Sequence, residues 1–364
     1  MGGDVLGREL RLVSFGESHG KVIGAVIEGV PAGLRLSEED VQRVLDLRKP
    51  GLSHLSSQRA EEDRVEILSG VFRGYTTGAP ICMVVRNLDV DSSHYEEFRR
   101  FPRPGHADHI ASVKYGGFND HRGGGRFSGR ITVSMCMGGA VAMKILERLN
   151  VEIVAYSLEI GGERARDFTI EDAKVYRYLN PVRAPNEESY ERMARAIEEA
   201  MRDGDSVGGI VEAVALNVPQ GLGEPIFDTI EGDIAKAMFS IPGVKGVEFG
   251  SGFRAAAMRG SEHNDPMRII DGRVRYVKND HGGAIGGMTT GEPLILRVAF
   301  KPTPSIAKPQ DSVDLELLRD VKIKVKGRHD PCIVPRAVVV VESMLAFTLA
   351  DHAMRQGLIP KVLR

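Results

Sequence analysis

The sequence predicts an α+β fold of layered sheets and helices rather than a doubly wound parallel sheet. Three observations carry this. Strands and helices are mixed along the chain with few strictly alternating βαβ units. The longer strands are apolar and compatible with antiparallel pairing, and one long segment is apolar on nearly every helical face, so it is expected to be buried.

Val22 to Val30 (VIGAVIEGV) is apolar and β-branched and closes at Pro31, which reads as a strand. Ser37 and Asp40 then have capping-box spacing, and Val41, Val44 and Leu45 form an apolar stripe, which predicts a helix. Val65 to Phe72 and Pro80 to Val85 read as strands around a Gly-Tyr-Thr-Thr-Gly turn. Residues 128–149 form the helix that is apolar nearly all round. Asn186 is placed to cap an amphipathic helix with Tyr190, Met193, Ile197 and Met201 on one face and Gly204 beyond its end. Val30-Pro31-Ala32-Gly33-Leu34 recurs at an offset of 188 residues as Val218-Pro219-Gln220-Gly221-Leu222, again after an apolar strand (Ile210 to Val218) and before an amphipathic helix. An internal two-fold duplication and a recurrent strand-to-turn solution both produce such an echo.

Composition bounds the function. The chain has 364 residues with 48 Lys+Arg against 50 Asp+Glu, so a net charge of −2 supplies no general field for neutralising phosphates, and no nucleic-acid partner is expected. The longest uncharged apolar stretch, Ile131 to Met143, falls short of the roughly 18 residues of a membrane span, so no membrane association is expected. Asp4, Arg8, Glu9 and Arg11 stand where a signal peptide would be apolar, which points to a cytoplasmic location. Cys82, Cys136 and Cys332 have neither disulfide-framework nor zinc spacing. No linker, low-complexity run or charge block divides the chain. Glycine, 42 of 364 residues against a usage of about 7%, is clustered where backbone turns tightly or approaches a ligand.

The candidate chemistry lies in those clusters. Phe15-Gly16-Glu17-Ser18-His19-Gly20 is a compact polar loop between apolar strands, and an imidazole flanked by small residues there is suited to proton transfer. Arg103-Pro104-Gly105-His106-Ala107-Asp108-His109 is followed by Asp120-His121-Arg122-Gly123-Gly124-Gly125-Arg126-Phe127-Ser128-Gly129-Arg130, a cationic, glycine-rich run entering the buried helix. Backbone N–H groups, a helix N-terminus and guanidinium groups together make an anion site, most naturally for phosphate. It is neither a P-loop nor a Rossmann fingerprint. His106, Asp108 and His109 also have metal-ligand chemistry, which keeps a metal-dependent hydrolase open as a second reading and a non-catalytic phosphate-binding protein as a third. Asn279 to Gly287, Lys301-Pro302-Thr303-Pro304-Ser305 and Gly327-Arg328-His329-Asp330-Pro331 repeat the pattern of cations, hydroxyls and bare backbone, as a polyanionic ligand or two adjacent ligands would require.

FGESHG at 15–20, RPGHAD at 103–108, RGGGR at 122–126, VKGVEFG at 244–250, the GGxxGG run at 282–287, KPTPS at 301–305 and GRHDPC at 327–332 resemble the chorismate synthase family, in its order and over nearly the whole length. The resemblance implies a single domain over 1–364, a layered β-α-β sandwich with helices between antiparallel sheets, and a homotetramer. It implies a lyase that eliminates phosphate and a ring hydrogen from 5-enolpyruvylshikimate 3-phosphate in an anti-1,4 sense, using reduced FMN without net redox change. In that family's pattern His19, His106 and Asp330 are catalytic: His19 at the reduced flavin, His106 at the departing phosphate and Asp330 in a proton relay at the flavin nitrogen. Arg126, Phe127, Ser128, Gly286, Lys301, Pro302, Thr303, Pro304, Ser305 and Arg328 fall where FMN is held; Ser18, Arg48, Arg130 and Arg328 fall near the substrate's phosphate and carboxylates. No metal is implied. No reductase module or NAD(P) fingerprint is visible, so an external reductant is expected to supply the reduced flavin. The chain departs from the family pattern at Leu47-Arg48-Lys49-Pro50-Gly51, where RRRPG is usual, at His54, where Arg is frequent, and at Phe127, Gly129 and Ile131 within GRFSGRIT, where GRSSARET is usual. The lost hydroxyl at Phe127 puts one flavin hydrogen bond in doubt.

Overall fold

Pro31 and Pro219 each end a strand at the same point of two matching units, and the architecture follows from that match. The computed structural model describes residues 3–49, 55, 62–88, 92, 95–325 and 330–364. In the first unit β1 (Val5–Leu6) pairs with β2 (Arg11–Gly16), which turns back into β3 (Val22–Glu28). Helix α1 (Glu38–Arg48) follows with its capping box formed, the Ser37 amide donating to the Asp40 carboxylate at 3.0 Å. Strand β4 (Val65–Ile67) and β7 (Ile81–Arg86) complete a sheet ordered β1-β2-β3-β7-β4 with antiparallel neighbours, and between them β5 (Val71–Phe72) and β6 (Tyr75–Thr76) form a separate hairpin. The predicted strand 65–72 is therefore broken, and Tyr75–Thr76 is strand rather than turn. The break is at Gly70, whose φ of +83° bends the chain against Ile81, and the turn itself is Arg73–Gly74, at φ +53° and +79°.

Two short helices, α2 (Glu97–Arg100) and α3 (Asp108–Tyr115), precede the long α4 (Thr132–Leu146). The second unit opens with β8 (Glu152–Ile160) and β9 (Glu163–Arg164), then α5 (Ile170–Tyr176) and α6 (Glu187–Arg202). Asn186 caps α6 as expected, accepting the Ser189 amide at 3.0 Å. Met193 and Ile197 are buried, while Met201, at 42% exposed, lies off the packed face. Next come β10 (Gly209–Leu216), α7 (Ile230–Phe239), β11 (Val244–Phe249), α8 (Gly260–His263) and three hairpins: β12 (Met267–Ile270) with β13 (Arg273–Tyr276), β14 (Ala284–Ile285) with β15 (Met288–Thr289), and, beyond β16 (Leu294–Phe300), β17 (Gln310–Asp314) with β18 (Arg319–Ile323). The second sheet runs β11-β16-β10-β8-β9, and α9 (Val334–Arg355) ends the described elements.

The units match in element and strand order: β2-β3-β7-β4 corresponds to β8-β10-β16-β11, α1 to α7, the β5–β6 hairpin to β14–β15, and α4 to α9. The correspondence reaches individual bonds. Thr76 Oγ1 accepts the Leu34 amide at 2.9 Å and donates to the Pro31 carbonyl at 2.5 Å; Thr289 Oγ1 accepts the Leu222 amide at 2.9 Å and donates to the Pro219 carbonyl at 2.6 Å. The V-P-x-G-L echo is thus one part of a structural repeat.

Helix α4 packs on α9, with β2 and β3 against α4 and β8 and β10 against α9, so the helices lie between the sheets. A Cβ on Gly139 would lie 2.2 Å from Ser343 Cβ, which marks where the two helices cross most closely. One hydrophobic cluster runs from Leu10 to Ile359 through both units. By length and composition alone, both Gly129–Leu149 and Val334–Arg355 could cross a membrane. In the fold their most apolar windows are 83% and 94% buried, and that interior position accounts for their apolarity.

Candidate active site

The segment Arg122–Phe127 is a 3-10 turn broken at Gly123, Gly124 and Gly125, whose φ angles are +59°, +81° and +53°. What a side chain would strike there locates the site. A Cβ on Gly123 would lie 2.2 Å from Cδ2 and 2.5 Å from Nε2 of His19. One on Gly124 would lie 3.2 Å from Cε1 and Nε2 of His106, and one on Gly125 2.1 Å from the Asp120 carbonyl. The bare strap therefore lies against both predicted catalytic imidazoles, on their Nε2 edges.

His19 stands on the β2–β3 loop, 8% exposed, with Nδ1 2.9 Å from Ser92 Oγ and its ring edge-on to Tyr95 at 5.1 Å. Beside it the buried Ser18 Oγ has no hydrogen-bond partner among the described residues, an orphan that a ligand atom would satisfy. Asn87, just after β7, fixes this loop: its Nδ2 donates to the Glu17 and Gly20 carbonyls at 3.2 and 2.8 Å, and its Oδ1 accepts Arg130 Nε at 2.7 Å.

His106 precedes α3, its Nδ1 2.6 Å from Asp108 Oδ1. Arg103 grips that carboxylate with Nε and Nη2, each at 2.8 Å, donates to Ser305 Oγ at 3.2 Å, and lies over the Phe98 ring at 4.5 Å. Burial disfavours the Asp108 carboxylate, but the Arg103 and His106 hydrogen bonds outweigh it and hold the group well below the usual range. The charged Asp108 fixes Nδ1 of His106 as donor and leaves Nε2 for the strap side. The Lys301–Ser305 segment packs on the same loop, Lys301 Nζ donating to the Gly105 carbonyl and Pro304 adjoining Gly105. Burial, reinforced by Lys245, lowers the Lys301 pKa, and Thr303 Oγ1 is buried with no partner among the described residues.

Arg48 is 1% exposed, yet its closest acceptors among the described residues are the Arg130 carbonyl, Thr132 Oγ1 and Asp63 Oδ2 at 3.4, 3.5 and 3.5 Å. Its Nε has no partner among the described residues. Such a loosely held buried guanidinium is a ready anion binder. Burial, and then Arg336, lower its pKa. Arg130 pairs with Asp63 Oδ1 at 2.8 Å. Asp330 accepts from Arg336 at 2.7 Å and its buried Oδ1 has no hydrogen-bond partner among the described residues, while Arg336 Nε donates to the Arg48 carbonyl at 3.4 Å.

Ser18, His19 and His106 stand against the strap and Lys301–Ser305 packs on the His106 loop, while Arg48, Arg130 and Asp330 join that neighbourhood through Asn87, Asp63 and Arg336. Of the other candidates, Phe127 lines a cavity with His106 and Gly124, and Ser128 Cβ lies 3.8 Å from where a Cβ on Gly124 would stand. Arg126 turns to β2, donating to Gly16 O at 2.9 Å and Ser14 O at 3.2 Å, and pairs with Asp4. Phe127 is 37% exposed and 6.4 Å from the Tyr115 ring, and Ser128 Oγ caps the Arg130 amide at 3.3 Å. Gly286 is in the β14–β15 turn, a hairpin that packs on Leu222 and Thr229. Arg328 lies outside the described residues, as do Pro50, Gly51, His54 and His329. Among the described residues no three His, Cys, Asp or Glu side chains gather to hold a metal, and His106 and Asp108 are already engaged by Arg103. Sequence reasoning passed over Asp63, Asn87, Arg103 and Arg336 as site residues; only Arg103 carried a signal, standing at the head of RPGHAD.

A family model described as chorismate synthase matches residues 10–354. The chain is 81% identical over 355 residues to a chorismate synthase of Korarchaeum cryptofilum, covering 98% of each, and 54% identical to one of Pyrococcus abyssi, covering 96% of this chain and 97% of that one. A crystal structure of a chorismate synthase superposes with a TM-score of 0.76 at 33% identity, covering 96% of this chain and 93% of that one. With the ordered blocks, the strap between two histidines and these likenesses in agreement, the chain belongs to the chorismate synthase family, the lyases that convert 5-enolpyruvylshikimate 3-phosphate to chorismate in aromatic amino-acid biosynthesis.

Proposed function

We propose that the cleft around the Gly123–Gly125 strap carries this elimination with reduced FMN, His19, His106 and Asp330 managing protons. The supporting observation is the pair of histidines turned by their Nε2 edges toward adjacent glycines, with buried polar atoms that have no hydrogen-bond partner among the described residues: Ser18 Oγ, Thr303 Oγ1, Arg48 Nε and Asp330 Oδ1. These orphans and the cationic Lys301 suit a flavin phosphate and a trianionic substrate. Lys301 to Ser305 would hold FMN, with Ser128, and with Arg126, Phe127, Gly286 and Arg328 completing the set the resemblance assigned. Reduced FMN, when bound, supplies an electron-rich partner that a weakly acidic ring C–H requires and that no side chain provides.

The protein's own part is binding and proton placement. Arg48 and Arg130, with Ser18 and Arg328, hold the substrate's phosphate and carboxylates. His106, its Nδ1 committed to Asp108, hydrogen-bonds the departing phosphate through Nε2. His19, committed to Ser92 through Nδ1, presents Nε2 to the flavin, and Oδ1 of Asp330, the oxygen that does not meet Arg336, accepts a proton. The bare glycine backbone leaves room beside both imidazoles, and at Gly123 a Cβ would collide with the His19 ring. The enzyme functions as one domain over 1–364, in the cytoplasm, as a homotetramer, with reduced flavin from an external source. The exposed apolar side chains of Met267, Ile269 and Phe253 support assembly.

An anaerobic assay with the substrate and chemically reduced FMN tests this reading. Chorismate and free phosphate should form in equal amounts with wild-type protein, and His106→Ala should lose turnover while keeping most of its flavin affinity. Turnover without added reduced flavin, or an unimpaired His106→Ala, would overturn it.

A further inference from the structure

The two arginines assigned to the substrate share one buried counter-ion. Asp63 is 3% exposed and lies between α1 and β4, with Oδ1 2.8 Å from Arg130 Nη1 and Oδ2 3.5 Å from Arg48 Nη2. Its backbone is held to suit: φ is +46°, a conformation that costs a non-glycine residue about 1 kcal/mol. Gln42 of α1 clamps the segment on both sides, donating to the Asp63 carbonyl at 3.2 Å and accepting the Val65 amide at 3.0 Å. Among the described residues, the guanidinium groups of Arg48, Arg130 and Arg336 meet the carboxylates of Asp63 and Asp330. Without a shared anchor, Arg48 and Arg130 would repel each other in a setting that screens them poorly.

We infer that Asp63 is a positioning residue for substrate recognition, one carboxylate setting the spacing and aim of both arginines. The inference rests on the reading of Arg48 and Arg130 as substrate-binding residues. Burial raises the Asp63 pKa and lowers that of Arg48, both toward the neutral form, so each charge depends on the other for its place. A rival role is available to the same geometry: a carboxylate that merely competes with the substrate's anions for the arginines. The two roles predict opposite signs. Removing a competitor lowers KM, whereas removing an anchor raises it.

The test is steady-state kinetics of Asp63→Asn and Asp63→Glu with 5-enolpyruvylshikimate 3-phosphate and reduced FMN, beside Arg48→Lys and Arg130→Lys. Asp63→Asn should raise KM for the substrate about tenfold or more while kcat stays within about threefold and the half-saturating FMN concentration is unchanged, a split expected of lost ground-state binding. Asp63→Glu, which keeps the charge but shifts it, should fall between wild type and Asp63→Asn. If Asp63→Asn does not fold, Asp63→Glu alone decides: a raised KM with preserved kcat upholds the inference and an unchanged KM overturns it. A lowered KM, or parallel losses in kcat and flavin affinity, would also overturn it. If both Arg→Lys variants leave KM unchanged, the substrate-arginine reading fails and takes this inference with it. If they raise KM and the Asp63 variants do not, only this inference fails.

Discussion

Gly123 and Gly124 are neighbours with the same left-handed backbone, and what a methyl would meet separates them. Alanine at either position costs about 1–2 kcal/mol for its φ alone. At Gly124 the methyl would stand 3.2 Å from His106, a gap that small shifts relieve, but at Gly123 it would stand 2.2 Å from the His19 ring, which must then move. Similar losses of stability are therefore expected for the two variants, but only Gly123→Ala should lose about a hundredfold in kcat/KM, the scale of a misplacement near 1 Å. Melting curves beside kinetics check this; equal kinetic losses would mean that His19 is not the reason for the strap's shape. Asp108 gives a pH prediction with a definite sign. Its folded pKa is depressed, so its contribution is fully present above the unfolded carboxylate value, near 4, and is lost as pH falls through the lower folded value. Asp108→Asn leaves Arg103 buried without its carboxylate, at a cost of about 3–5 kcal/mol at pH 7. That gap should narrow only below about pH 4, where the wild-type carboxylate begins to lose its advantage. Denaturant titrations of both proteins from pH 3 to 8 measure it, and a gap closing near neutrality would refute the assignment.

The hairpin is where the repeat becomes chemically specific. SGVFRGYTTGAPI at 69–81 and GGAIGGMTTGEPL at 282–294 share Gly70/Gly283, Gly74/Gly287, Thr76/Thr289 and Pro80/Pro293 at an offset of 213 residues. Each threonine hydroxyl joins the hairpin to the V-P-x-G-L turn by two bonds. Valine keeps the shape but leaves an amide and a carbonyl unpaired, so Thr76→Val and Thr289→Val should each cost about 1–3 kcal/mol, and by similar amounts. Chemical denaturation compares them; a cost at only one site would show that the equivalence is geometric and not energetic. This repeat was half legible in the sequence. V-P-x-G-L stood out at an offset of 188, but the insertion between β11 and β14 that holds α8 and the β12–β13 hairpin moves the offset to 213 and hid the hairpins, and the GGxxGG run read as an anion loop because clustered glycines look alike whether they turn a hairpin or cradle a phosphate. The α4 segment was legible from its all-round apolarity. Helix α9 was not, because its four consecutive valines favour a strand locally and only burial between two sheets makes them helical. Among site residues, those within unusual polar blocks were readable. Asp63, Asn87 and Arg336 were not, since ordinary surface sequence contains the same residues and only the fold turns them inward.

At the scale of the whole molecule, the cleft belongs to both units. The first supplies the His19 loop, the His106 loop and the glycine strap; the second supplies Lys301–Ser305 after β16 and Asp330 before α9. The units are joined by the α4–α9 packing, with Gly139 against Ser343, inside one hydrophobic cluster. Opening that seam would expose the most buried helices of each unit together, so neither sheet has a core of its own to fall back on. The chain is longer than the size at which two-state unfolding is usual, about 150 residues, which makes cooperativity a real question here. It contains no Trp, so single reporters can be placed cleanly: Phe15→Trp on β2 and Phe300→Trp on β16. In guanidinium titrations both reporters and the far-ultraviolet circular dichroism should share one midpoint, with activity lost no later. Separate midpoints for the two reporters would show that each unit folds alone, and the chain would then be two domains meeting at an active site rather than one domain built from a repeat.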